Sequence, residues 1–120
     1  MKYLLILNIN AEILDALSEE EQQAIGAAHG KFMETTKASG EFLGTIALEQ
    51  PAKGVVVKVR DGVPAVTDGP FVESKEFLGG FYVLDVASPE RAYELAALIP
   101  DAAIEGLGVE LRPVVFSDGI

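Results

Sequence analysis

Phe81-Tyr82-Val83-Leu84-Asp85-Val86, followed at once by Ala87-Ser88-Pro89, is the stretch that decides the fold. Six residues that are nearly all branched or aromatic, with almost no polar interruption, read as a buried strand. Ser88 then has the side chain of an N-cap. Pro89 suits the first helical position, where its missing N–H leaves no bond unmade. Ala92, Leu95, Ala96 and Ile99 recur at helical spacing as a buried stripe, and Pro100 stops the helix.

The same pattern of strand and helix occupies the first third of the chain. Lys2 to Ile9 is a buried strand bounded by Asn10. Ser18 and Glu21 form a capping box, which opens a helix with inward positions at Ile25, Ala28, Phe32, Met33 and Thr36 and an end at Gly40. Gly26 and Gly30 each weaken that helix by roughly 1 kcal/mol relative to alanine, a cost that predicts the close approach of some other group. Phe42 to Glu49 is a second strand. Val55–Val59 and Val63–Val66 form a hairpin through Asp61-Gly62, a pair favoured in two-residue turns, and Pro64 places its strand at an edge. Gly106 and Gly108 punctuate the return to a last strand, Val109 to Phe116.

Strand, helix, strand, hairpin, strand, helix, strand is the split βαβ order of an α+β, ferredoxin-like fold with an inserted β-hairpin. The 120 residues fit one domain, 1–120, with no linker, repeat or low-complexity tract. Two helices cover only one face of a sheet, yet Tyr3–Leu7 and Phe81–Leu84 look apolar on both. A second copy packed by two-fold symmetry would cover the other face, so the expected assembly is a homodimer, a dimeric α+β barrel with a cavity between sheet and helices.

Composition narrows the chemistry. With no cysteine, disulfides, thiolate metal sites and cysteine nucleophiles are excluded. The apolar run Tyr3–Leu7 is far shorter than the ~20 residues of a membrane span and lacks a cleavage site, so a cytoplasmic protein is expected. A net charge of -10 repels phosphate backbones and anionic lipid, which argues against nucleic acid and membrane as partners.

His29 is the single histidine and falls on the apolar stripe of the first helix. Imidazole ionises near neutrality, so a half-buried histidine beside a carboxylate can move a proton at physiological pH. Its bland alternative is a histidine satisfied at the core margin. Thr67-Asp68-Gly69-Pro70-Phe71-Val72-Glu73-Ser74-Lys75-Glu76 concentrates charge around a turn between strands, where loops often line pockets. Asp68 is expected to orient His29, with Glu73 and Lys75 at the rim. The alternative is a structural loop with a solvated face. Arg112, like Arg60, lies on a strand and could meet an anionic ligand, although a strand arginine more often pairs with a surface acid. No metal site and no cofactor motif is visible.

Thr67-Asp68-Gly69-Pro70-Phe71, then Glu73-Ser74-Lys75-Glu76 and Leu78-Gly79-Gly80-Phe81, resemble the signature of DGPF-domain proteins within the YciI-related family, over essentially the whole chain. The resemblance implies a ferredoxin-like subunit, a dimeric α+β barrel, and an active-site histidine on the first helix eleven residues before a glycine, the spacing of His29 and Gly40. It implies no settled substrate. The expected function is acid/base chemistry on a small polar molecule in a cleft near His29. The alternatives are a non-catalytic ligand-binding or regulatory module, such as a partner of an extracytoplasmic-function sigma factor, and haem held axially by His29.

Overall fold

The computed structural model describes residues 1–120, which form β1 (Lys2–Asn10), α1 (Ala11–Asp15), α2 (Glu19–Ala38), β2 (Phe42–Ala47), β3 (Val55–Arg60), β4 (Val63–Asp68), β5 (Glu76–Asp85), α3 (Pro89–Ala96) and β6 (Gly108–Pro113). Four strands make an antiparallel sheet in the order β2-β5-β1-β6, and β3 and β4 pair only with each other. This is the ferredoxin-like α+β arrangement, with the hairpin set apart from the sheet.

Local chemistry explains most of the boundaries. Ser18 accepts from Glu21 N while Glu21 accepts from Ser18 N, so the capping box is complete, and Gly40 leaves the helix end at φ +79°. Ser88 accepts from Arg91 N at the start of α3. Asn10 caps α1, a five-residue helix that the sequence reading left out because it is too short to show periodicity.

Several strand limits differ from expectation, β2 ending at Ala47 rather than Glu49 and β4 running on to Asp68, and two of the differences have a visible consequence. β5 begins at Glu76 rather than Phe81, because Gly79 and Gly80 continue the strand through a bulge opposite Leu7 and Asn8. β6 ends at Pro113, short of Phe116, and Val115 and Phe116 are left in solvent. Gly26 and Gly30 meet no neighbour: a Cβ at either would find open space, so the close approach predicted from them is not made within the chain.

One face of the sheet carries the core. Tyr3, Leu5 and Leu7 of β1 and Tyr82 and Leu84 of β5 pack with Phe32 of α2 and with Ala92, Leu95, Ala96 and Ile99 from α3 and its C-terminal turn. Each such large apolar side chain contributes about 1.5–3 kcal/mol by leaving water. On the opposite face the chain supplies part of its own cover. After β6 it turns back across the sheet, so that Lys2 Nζ donates to Ser117 Oγ at 2.9 Å and to the Ile120 carbonyl at 2.7 Å, and Ile120 rests against Gly44. On this face Ile6 and Val83 are buried within one chain, whereas Ile46, Leu48 and Leu78, toward the other end of the sheet, remain 43–49% exposed. The expectation that a second molecule covers this entire face is corrected: part of it is closed within the chain.

The β3–β4 hairpin stands away from the rest. Asp61 and Gly62 both take positive φ, 50° and 76°, as a two-residue hairpin turn requires. Val55, Val57, Val59, Val63 and Val66 are all more than half exposed. The radius of gyration is 16.4 Å, against about 14 Å for a compact chain of this length.

Candidate functional site

His29 lies on the inward face of α2, four residues after Ile25 and four before Met33, so its ring enters the space between that helix and the sheet. Two partners meet it there. Its Nδ1 lies 2.7 Å from the hydroxyl of Tyr82, and its Nε2 lies 3.0 Å from Oδ1 of Asp101. Tyr82 comes from β5, on the face that also presents Leu84. Asp101 comes from a short 3-10 turn, Pro100–Ala103, that follows α3. Phe32 packs edge-on against the Tyr82 ring at 4.7 Å, and the imidazole lies over that ring at 5.9 Å, so the three groups are held by packing as well as by hydrogen bonds.

The proton order follows from the chemistry of the partners. Asp101 is 5% exposed, and an ionised carboxylate only accepts hydrogen bonds, so Nε2 carries the ring hydrogen. In that tautomer Nδ1 is an acceptor, and the Tyr82 hydroxyl donates to it. Burial, reinforced by the negative charge of Asp101, pushes the Tyr82 phenol up to about 12, so it holds its proton throughout the neutral range. The result is a continuous chain in which Tyr82 O–H points to His29 and His29 N–H points to Asp101.

This chain forms the polar end of a cavity of about 340 Å³. Leu7, Ile9, Leu14, Ile25, Met33 and Ile104 supply most of its wall, with Thr45, Ala47, Gly79 and Gly80 along the sheet side. Gly79 sits under the Ile9 side chain, which would have to shift to admit a Cβ there.

The remaining residues singled out by sequence lie elsewhere. Asp68 ends β4 on the projecting hairpin, exposed, and does not line the cavity. Glu73 and Lys75 lie in the segment that follows and border a shallow cleft with Pro51, Pro70 and Phe77. Arg112 is paired on its own strand with Glu110, the surface pairing that its position allowed. Asp68 is separated from His29 because β3 and β4 leave the sheet instead of extending it. Asp101 takes the place expected of Asp68. No group of three or more His, Asp or Glu side chains converges as a metal centre needs. Both nitrogens of His29 are engaged, so axial ligation of haem would have to break one of these bonds. No helix is long and apolar enough to cross a membrane.

The fold and the histidine site together define a small α+β protein of the kind the sequence resembled. The family model of the YCII-related domain matches residues 1–116, and the chain belongs to that family. It is also similar to an uncharacterised protein of Rhizobium meliloti (strain 1021), 30% identical over 119 residues that cover 95% of this chain and 92% of that protein.

Proposed function

We propose that this protein removes and returns a proton on a small, largely apolar molecule, with Tyr82 touching the substrate and His29 and Asp101 behind it. The observation that carries the reading is the unbroken Tyr82–His29–Asp101 chain at the one polar end of an apolar cavity. The apolar wall changes the substrate from the polar molecule expected from sequence to one that is polar only where it meets Tyr82.

The step balances without a redox partner. The substrate X–H bond breaks and its proton passes to the Tyr82 oxygen as the Tyr82 proton passes to Nδ1. His29 becomes an imidazolium beside the Asp101 carboxylate, and the substrate is left as its conjugate base. Return of the proton at a different atom gives a tautomer or isomer. A wall of apolar side chains keeps water from competing for the proton.

The test is deuterium incorporation from D₂O at the carbon alpha to the carbonyl of neutral α-hydroxyketones such as α-hydroxyacetophenone, followed by proton NMR. Wild type should accelerate exchange about 100-fold or more over His29→Ala and Tyr82→Phe, the usual yield of a positioned acid or base. Exchange no faster with wild type than with His29→Ala overturns the reading and leaves a binding module.

The assembly proposed with this function is a homodimer. Its support is the accessible surface of 8107 Å², about 1,900 Å² more than a compact monomer of this mass exposes. The hairpin valines and the open part of the sheet at Ile46, Leu48 and Leu78 contribute to this excess, and burying it on both chains would remove about 3,800 Å², within the range of obligate homodimers. Light scattering at micromolar concentration should give twice the chain mass of 12.7 kDa, and a monomer would overturn the assignment.

A further inference from the structure

We infer that the cavity selects molecules that donate a hydrogen bond from a hydroxyl on an otherwise apolar, uncharged body, and rejects both anions and ligands that only accept. The inference rests on the proton order proposed above and adds the chemical class of the ligand.

The argument is an account of hydrogens at the polar end. The Tyr82 hydrogen is committed to Nδ1 of His29, and the Nε2 hydrogen to Asp101. Thr45 spends its hydroxyl hydrogen on the Phe81 carbonyl at 2.9 Å. The polar side chains of the wall therefore offer the cavity no spare hydrogen, and Tyr82, Thr45 and Asp101 offer it oxygen lone pairs. A ligand that only accepts would leave those oxygens unpaired and its own acceptor unpaired too, a cost incurred twice in an apolar cavity. A ligand hydroxyl satisfies Tyr82 and places its own hydrogen at the start of the chain.

Charge gives the second half. None of the 14 lining residues is lysine or arginine, while Asp101 adds a negative charge close to where the polar group of a ligand must sit. An anion entering would lose its hydration with nothing to replace it and would be repelled besides. Size sets the scale: about 340 Å³ is roughly twice the ~150 Å³ that holds one benzene ring.

Phenol, anisole and benzoate share one ring and differ only in these properties. Titration of the full ¹⁵N-labelled chain with each, followed by amide shifts around Gly79, Gly80 and His29, should show phenol binding at least tenfold tighter than anisole or benzoate. Tyr82→Phe should weaken phenol at least fivefold and leave anisole unchanged, a difference that a general loosening of the fold would not produce. Anisole or benzoate binding as well as phenol overturns the selection, as does the absence of a saturable shift with all three. Because binding is read without turnover, the ligand class can fail while the deuterium exchange stands, and the reverse.

Discussion

Nε2 of His29 lies 3.0 Å from Oδ1 of Asp101, a residue 72 positions further along the chain and delivered by a turn after the last helix. That contact fixes which ring nitrogen carries hydrogen. Long-range ¹H–¹⁵N correlation of the imidazole should therefore show the Nε2–H tautomer in wild type at neutral pH. Asp101→Asn should abolish the preference and destabilise the fold by about 1–3 kcal/mol, the cost of a lost charge-assisted bond at a buried site. An unchanged tautomer in the variant would sever Asp101 from the relay.

The alkaline limb of stability should belong to Tyr82. Its phenol is raised from 10.0 to about 12 in the fold, so between those values the unfolded chain loses a proton that the folded one keeps. Stability contributed by this group is complete below pH 10 and lost as pH rises toward 12. Ultraviolet titration of the three tyrosines should show one ionising late, and Tyr82→Phe should remove that late step.

On the acid side the group to follow is Glu41. The Arg91 side chain donates to both its oxygens, at 3.0 and 2.9 Å, and holds its carboxyl below the usual value of 4.5. A depressed carboxyl stabilises above its unfolded pKa, and this contribution fades as pH falls below 4.5. Arg91→Ala should lower the urea midpoint at pH 7 and lower it by less at pH 3. A gap that is the same at both values would remove the ion pair from the account.

Glycines divide into two kinds, and the division is measurable. Alanine at Gly26 or Gly30 meets open space on an exposed helical face and should stabilise by about 0.5–1 kcal/mol each. Alanine at Gly80 would put its Cβ 2.4 Å from the Ile46 carbonyl oxygen, in the backbone of the neighbouring strand, and should cost several kcal/mol. Thermal melts of the three variants check both signs.

The strands and helices were legible because each is announced locally: apolar runs at Tyr3–Leu7 and Phe81–Val86, the capping box at Ser18, the Ser88-Pro89 helix start, the Asp61-Gly62 turn. His29 was legible as the single histidine of the chain, set on an inward stripe. Its partners were not. Tyr82 was read as one more aromatic of a buried strand, although a hydroxyl in a buried run needs a partner and was the available signal. Asp101 was hidden by Pro100, which was read only as a stop. A carboxylate directly after a buried stripe, at a turn that must face the core, could have been weighed against Asp68. Pairing across 72 residues is set by how the sheet folds the chain, which local pattern does not encode.

The projecting hairpin has a consequence for how this fold tolerates change. Its two strands satisfy one another, its base is tied by the Gly69 amide to the Gly54 carbonyl at 2.9 Å, and the core includes none of its side chains. Residues 55–68 can therefore be lengthened, shortened or exchanged for another ribbon while the relay and its chamber keep their shape. The module is a graft point, free to drift under mutation independently of the His29 cavity.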